Sequence, residues 1–108
     1  MSFLYLATPY SHPDPGEREA RYVAALRKTA GLMRAGQVVF SPIVHTHHVE
    51  RIVGPRPHLF WIDAGLPILA RASKLLVLRL SGWESSIGVA MEIEFAERHG
   101  IPVEMIDP

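Results

Sequence analysis

Glu92 is the residue of this chain whose type and position most strongly indicate chemistry. The surrounding pattern predicts a helix over residues 86–99, closed by Gly100, and on a helical wheel Glu92 falls near the middle of the apolar arc. A carboxylate that faces the interior is costly unless it is paired, protonated or lining a cavity. Capping does not explain it, because the capping-box position after Ser86 is Val89. We expect a functional carboxylate, with a buried ion pair as the alternative.

The start of the same helix could bind an anion. Ser85, Ser86 and the amides through Gly88 open a helix N-terminus, where backbone donors and the helix dipole attract a group such as a phosphate. An ordinary serine N-cap is the alternative, and both can hold at once. Trp83, just before it, could stack on a base or cover an interface, and the sequence does not decide between these roles.

The histidine-rich segment His45-Thr46-His47-His48 raises the question of a metal. Imidazoles two and three residues apart can share an ion only with ligands from elsewhere. Such ligands could be His12, His58 or Glu50. Because the chain has no HExxH or similar frame, we predict no metal and no cofactor. His45, which follows Pro42-Ile43, is the best placed of the histidines to face a substrate.

Strands and helices alternate along the chain, and this order predicts how the candidate residues are positioned. It indicates an α/β domain with a parallel sheet and helices on both faces. We expect residues 43–57 to form a long loop, and Pro67 to kink or restart the second helix. The predicted strands cover residues 3–7, 37–40, 75–80 and 101–105, and the predicted helices cover residues 17–35, 59–71 and 86–99.

Ligands of such sheets bind beyond the carboxyl ends of the strands. That edge comprises residues 8–16, 41–57 and 81–86, which hold most of the unusual polar residues. Thr8, Tyr10 and Ser11, directly after the first strand, are therefore candidates for substrate binding.

Composition restricts the class of protein. The 108 residues suit one domain spanning residues 1–108, and zero formal net charge gives no reason to expect a nucleic-acid polymer or a membrane surface as partner. Absence of cysteine excludes thiolate catalysis and fits a reducing compartment. No apolar run is long enough to span a membrane and no signal peptide is recognisable, so we expect a cytoplasmic protein.

Two segments carry a resemblance to a known family. Residues 5–10 read Tyr-Leu-Ala-Thr-Pro-Tyr, and residues 82–88 read Gly-Trp-Glu-Ser-Ser-Ile-Gly and lead to Glu92. With these, the chain resembles the nucleoside 2-deoxyribosyltransferase-like superfamily, in particular its short DUF1937-type proteins. The resemblance implies a flavodoxin-like three-layer α/β/α fold with a small parallel sheet of four to five strands. It also implies cleavage of the N-glycosidic bond of a (deoxy)nucleoside or its 5'-monophosphate.

The resemblance assigns roles to individual residues. It implies that Glu92 is the nucleophile, that Tyr5 hydrogen-bonds it, and that Asp63 handles the departing base. Asp63 lies two residues earlier than the family position, and Ser11 and His12 stand where nucleotide-cleaving relatives have an arginine. A catalytically silent nucleotide-binding module of the same fold is therefore the alternative function.

Assembly is the last expectation from the sequence. The pocket between residues 8–16 and 81–88 should be shallow in one chain, and a small sheet leaves edges and helix faces uncovered. We therefore expect a homodimer or larger homo-oligomer, with the helix over residues 59–71 in the interface.

Overall fold

The computed structural model describes residues 2–108, which form a four-stranded parallel sheet with helices packed against it. A short 3-10 turn over Trp83–Ser85 precedes the last helix. The elements in chain order are β1 (Leu4–Ala7), α1 (Pro15–Arg34), β2 (Val39–Phe40), α2 (Pro42–Thr46), α3 (Val49–Val53), α4 (His58–Leu69), β3 (Lys74–Leu78), α5 (Ile87–Arg98) and β4 (Val103–Ile106).

The sheet has the strand order β2-β1-β3-β4, and all neighbouring strands are parallel. The chain moves outward from β1 to β2, then returns past β1 to β3 and on to β4. Because parallel crossovers are right-handed, α1 lies on one face of the sheet and α4 and α5 lie on the other. This arrangement confirms the predicted small α/β, flavodoxin-like fold.

Strand residues alternate between the two faces, as the period of a β-strand requires. Tyr5 and Val77 belong to a buried cluster with residues of α4 and α5, among them Leu69 and Val89. Leu6 belongs to the opposite cluster, and Leu32 of α1 packs against that one. The central strands β1 and β3 are thus covered on both sides and hold the loops at their carboxyl ends in place.

The prediction of a long loop over residues 43–57 is wrong. The segment forms α2 and α3, because Ser41 and Pro42 start a helix as well as end a strand. The Ser41 hydroxyl accepts a hydrogen bond from the Val44 amide at 3.2 Å, and Pro42 occupies the first helical turn, where its missing N–H costs nothing. The Thr46 hydroxyl donates to the Pro42 carbonyl at 2.8 Å.

The predicted restart of the second long helix at Pro67 is also wrong, since α4 continues through this residue to Leu69. Pro67 lies in the last turn, so few helical hydrogen bonds depend on the residues that follow it. The first helix begins earlier than expected because Asp14 caps it, accepting from the Gly16 amide at 2.9 Å.

Among residues 2–108, none of the helices combines the length and the apolar character that crossing a bilayer requires.

Candidate functional site

Glu92 lies in the interior, as its position on the helical wheel predicts. Ser86 caps α5 by accepting a hydrogen bond from the Val89 amide at 3.2 Å, and this fixes where the helix begins. Glu92 follows on the face that packs toward the sheet, together with Val89 and Ala96, and only 6% of its surface is exposed. Ile87, outside the apolar arc, is exposed.

Burial changes the acidity of this carboxyl. It raises the pKa of Glu92 from 4.5 to about 7, while hydrogen bonding from the Tyr5 hydroxyl opposes the increase. The pKa of Tyr5 is raised as well, first by burial and then by the charge of Glu92. The two groups therefore face each other in a medium of low polarity, and Glu92 is poised to exchange a proton near neutral pH.

A glycine on α4 makes room for Tyr5. A Cβ atom at Gly65 would lie 2.5 Å from the Tyr5 hydroxyl oxygen, which is closer than such contacts allow. Gly65 is buried, and the backbone of α4 passes directly beside the hydroxyl. The position of Tyr5 relative to Glu92 thus depends on the absence of a side chain at this point of α4.

Glu92 and Tyr5 line a cavity of about 560 Å³, a size typical of small-molecule sites. Its walls come from the end of β1, from α2, α3 and α4, and from the start of α5. The cavity extends beyond the two loops at residues 8–16 and 81–88, because α2 and α3 form one of its sides.

A buried hydroxyl faces this cavity without a protein partner. Thr8 is only 6% exposed, and its Oγ1 atom has no hydrogen-bond partner within residues 2–108. In the same part of the chain, the indole nitrogen of Trp61, another lining residue, is buried and likewise lacks a partner. Since buried polar groups are almost always paired, these two atoms indicate places where a ligand or water bonds.

Polar groups line the cavity where α4 and α5 begin. The Ser11 hydroxyl lies 3.1 Å from Nδ1 of His58, the first residue of α4. A Cβ atom at Gly88 would lie 3.2 Å from Nε2 of the same imidazole. Ser11, His58, Ser86 and Gly88 all line the cavity, so its polar end contains hydroxyl and imidazole groups beside the N-terminus of α5.

Arg21 ties together the two loops at this edge of the sheet. Its guanidinium donates to the carbonyl of Ser11 at 3.1 Å and to the carbonyl of Ser81 at 3.2 Å. Gly82 follows with φ at +92°, and a Cβ atom there would lie 2.8 Å from the guanidinium. The loop after β1 and the loop after β3 are therefore held by one side chain of α1.

The structure brings most of the predicted site residues together around the cavity. The lining residues among them are Tyr5, Thr8, Tyr10, Ser11, His45, Ser86, Gly88 and Glu92.

Three predicted residues do not line the cavity. Asp63 is exposed on α4, because the helix turns its side chain away from Tyr5 and toward solvent. Trp83 packs against the hydrophobic core on the side of α4 and α5. The Ser85 hydroxyl donates to the Gly82 carbonyl at 3.2 Å within the 3-10 turn.

The histidines of residues 45–48 lie in two places, at the cavity wall and in the interior. His45 lines the cavity, with its ring 5.7 Å from that of Phe40, whereas His47 is buried behind Tyr10 with both ring nitrogens engaged. Within residues 2–108, no three histidine, aspartate or glutamate side chains converge as a metal site would require.

Several lining residues had no signal strong enough to identify them from the sequence. The sequence pattern places Arg18 on the solvent-facing side of a helix, and Gly65 indicates only a position of low helix propensity. Arg56 lies in the segment that connects α3 to α4, and His58 is the first residue of α4, so only the fold brings them to the pocket. The lining residues missed in this way are Arg18, Arg56, His58, Trp61 and Gly65.

The fold and the site together define a small α/β domain with a buried, proton-exchanging carboxyl in a ligand-sized cavity. Residues 2–107 match the family described as "Domain of unknown function (DUF1937)", and the chain belongs to that family. No curated protein matches the chain.

Proposed function

We propose that this protein cleaves the N-glycosidic bond of a nucleoside, a deoxynucleoside or its 5'-monophosphate, with Glu92 as the nucleophile. The observation that carries the proposal is a buried carboxyl with a pKa of about 7 that lines a cavity of about 560 Å³ beside a buried tyrosine. The resemblance to nucleoside 2-deoxyribosyltransferase-like enzymes supports the same choice of substrate, because its nucleophile and its tyrosine fall on these two residues.

In the proposed reaction, the ionised carboxylate of Glu92 attacks C1' of the sugar and displaces the base. The product is a glycosyl ester, which water or a second base then resolves. The Tyr5 hydroxyl orients the carboxylate and stabilises its charge before attack. The unpaired Thr8 hydroxyl is available to bond the bound sugar or base.

A phosphate group suits the polar end of the cavity. There the N-terminus of α5 supplies backbone donors, and the Ser86 and Ser11 hydroxyls and the His58 imidazole lie on the same wall. Arg56 lines the cavity as well and adds positive charge. These lining groups favour a 5'-monophosphate over an uncharged nucleoside as the ligand.

The pH dependence of turnover distinguishes a nucleophile from a proton donor. A nucleophilic Glu92 must be ionised, so the acid limb of the profile of kcat/KM should rise with pH through about 7. If Glu92 instead acted as an acid, kcat/KM would fall over the same range.

The direct test is release of free base from a panel of ribo- and deoxyribonucleosides and their 5'-monophosphates, with and without an acceptor base. Glu92→Gln should lower the rate at least about 10³-fold, because it keeps the shape and removes the nucleophile. Glu97→Gln, an exposed carboxylate on the same helix, is the matched control and should keep full activity. Absence of base release by the wild type over the whole panel would refute the proposal.

A catalytically silent nucleotide-binding module is the second candidate. The exposed position of Asp63 favours a silent module. Arg18 favours it as well, because its guanidinium already donates to the carbonyls of His12 and Pro13 in the loop and is thus engaged within the protein. Titration calorimetry with nucleoside monophosphates separates the two functions. Binding that survives Glu92→Ala, in a wild type without turnover, would favour the silent module.

We also propose that the protein is a cytoplasmic homodimer or larger homo-oligomer with α4 in the interface. Leu59 and Phe60 are exposed on α4, Phe60 also lines the cavity, and Ile87 at the start of α5 is 69% exposed. Such neighbouring apolar side chains are typical of contact surfaces. Light scattering should give at least twice the chain mass of 12.1 kDa, and Phe60→Glu should lower it.

A further inference from the structure

A chain of hydrogen bonds connects the surface of α1 to the wall of the cavity. His47 is only 8% exposed, and its two ring nitrogens have different partners. Nε2 lies 2.7 Å from a carboxylate oxygen of Glu19, and Nδ1 lies 2.7 Å from the hydroxyl oxygen of Tyr10. Tyr10 lines the cavity and His47 lies behind it.

Aromatic neighbours hold the imidazole in this orientation. The Tyr22 ring stacks on it with centroids 4.0 Å apart and planes 11° from parallel, and the His48 ring packs edge-on at 4.9 Å. Rotation of the His47 ring would break this stack as well as both hydrogen bonds. The partners of Nε2 and Nδ1 are therefore fixed.

The carboxylate of Glu19 determines where the ring carries its proton. Because a carboxylate only accepts, Nε2 of His47 carries a hydrogen directed at it. Nδ1 then accepts from the Tyr10 hydroxyl when the ring is neutral, and donates to the Tyr10 oxygen when the ring is protonated. In the second state the Tyr10 hydroxyl hydrogen no longer points at the His47 ring and turns toward the cavity, where the Glu50 carboxylate is its other hydrogen-bond partner.

Departure of a base requires such a proton. The base leaves the sugar with an electron pair on its nitrogen, and a positioned acid accelerates the step by protonating it. Asp63, the residue that the family resemblance assigns to this task, is exposed and does not line the cavity. Tyr10 lines the cavity, and His47 connects it to a carboxylate.

We propose that Tyr10 is the catalytic acid that protonates the departing base. His47 and Glu19 are positioning residues through which Tyr10 regains its proton. The inference rests on the proposed function. As Glu92 bonds to C1' and the N-glycosidic bond breaks, the base nitrogen takes the Tyr10 hydroxyl proton. Tyr10 takes the Nδ1 proton of His47, which becomes neutral and keeps its Nε2 proton on Glu19.

The second half of the reaction returns the network to its starting state. Water attacks C1', the bond from C1' to the Glu92 oxygen breaks, and the carboxylate is restored. The proton that water loses passes through Tyr10 to Nδ1 of His47. Burial and then the charge of Glu50 raise the pKa of Tyr10, so its hydroxyl stays protonated between turnovers.

The test compares two leaving groups in the best-cleaved substrate. One is the ordinary base. The other is an analogue that departs without a proton: N7-methylguanine for a purine substrate, which leaves as a neutral molecule, or 5-nitrouracil for a pyrimidine, which leaves as a stable anion. Tyr10→Phe should lower kcat about 10²-fold on the ordinary base and leave the analogue nearly unchanged.

The positioning residues are tested in the same way. Glu19→Gln should lower kcat about 10-fold on the ordinary base only, because the charge that holds the protonated ring is lost. Glu17→Gln, an exposed carboxylate earlier on α1, is the matched control and should leave both rates unchanged. Thermal melting of each variant establishes that the fold is intact.

Each outcome decides one question. Equal losses on both leaving groups for Tyr10→Phe would overturn the acid role of Tyr10 while the proposed function stands. A selective loss for Glu50→Gln, with none for Tyr10→Phe, would overturn it in favour of Glu50. Wild-type protein that releases neither leaving group refutes the proposed function and this inference together.

Discussion

Two cavities of nearly equal volume differ sharply in what lines them. The cavity at Glu92 encloses about 560 Å³, and a groove along α1, on the other side of the sheet, encloses about 550 Å³. The first contains a buried carboxyl and an unpaired hydroxyl. The residues lining the groove are Ala20, Val23, Ala24, Arg27, Lys28, Gly31, Leu32 and Pro108.

Volume alone does not distinguish the two cavities, whereas the polar groups that line them do. Keeping Glu92 and Thr8 away from water destabilises the folded chain on the side of α4 and α5. On the side of α1, the buried Thr29 hydroxyl also lacks a partner within residues 2–108, but it does not line the groove. The side of α1 instead combines small apolar residues with solvated cations, a pattern that packing and solubility explain. Substitutions at the cavity should therefore change stability together with base release or ligand binding, whereas those in the groove along α1 should change stability alone.

The largest such effect concerns the charge of Glu92. The folded state raises the pKa of this carboxyl from 4.5 to about 7, so folding favours its protonated form. The resulting stabilisation is complete below about pH 4.5 and is lost as the pH rises through about 7. The gap between the two pKa values corresponds to roughly 3 kcal/mol.

Urea unfolding of the wild type and Glu92→Gln, at about pH 4.5 and about pH 8.5, measures this difference. The stability of the wild type relative to the variant should fall by up to roughly 3 kcal/mol between the two conditions. Parallel pH profiles for the two proteins would mean that Glu92 titrates normally and that the cavity does not perturb it.

Gly65→Ala should be the next most harmful change. Its Cβ atom would lie 2.5 Å from the Tyr5 hydroxyl oxygen, so Tyr5 or the backbone of α4 must move. Such overpacking costs about 1–3 kcal/mol of unfolding free energy. Base release should fall at the same time, because the hydroxyl beside Glu92 is displaced. Unchanged stability would show that the backbone of α4 moves at little cost in free energy.

Thr8→Val should have a smaller effect with the reverse sign. The substitution keeps the shape and removes a buried hydroxyl that has no partner within residues 2–108, so it should stabilise the free protein by about 1 kcal/mol. Nucleotide affinity, measured by calorimetry, should fall by about 5- to 10-fold as a ligand contact is lost. A loss of stability would mean that bound water satisfies the hydroxyl.

Gly31→Ala, in the groove along α1, completes the series with the smallest effect. A Cβ atom at Gly31 meets nothing within 4 Å, and the residue is exposed within the helix. Alanine should stabilise the protein by about 0.5–1 kcal/mol through helix propensity and leave base release unchanged. An effect on activity would show that the two sides are coupled.

The parts of the site that follow local periodicity could be predicted from the sequence. The interior position of Glu92 and the Ser86 cap depend on one helix alone. The exposed position of Asp63 could not be predicted, because it depends on how α4 is rotated against β1, where Gly65 lies beside Tyr5. The partners of His47 lie 28 and 37 residues away in the chain, so no local pattern reveals them.

The fold, like the site, could be predicted where local sequence patterns determine it and not where long-range contacts do. Strands β1 and β3 are apolar runs with clear ends, and their pairing follows from the alternation of elements. The helices α2 and α3 were missed because Ser41 and Pro42 are signals both for ending a strand and for starting a helix. Tertiary contacts decide between these two outcomes.

The length of α1 carries a consequence for how this chain can tolerate insertions and deletions. The first half of the helix presents Glu19, Arg21 and Tyr22 to the cavity edge, and the second half presents Leu32 to the opposite side of the sheet. Removing one residue between them rotates one half by about 100° against the other. Single-residue gaps within α1 should therefore be excluded among functional variants, even where substitutions on its exposed face are accepted freely.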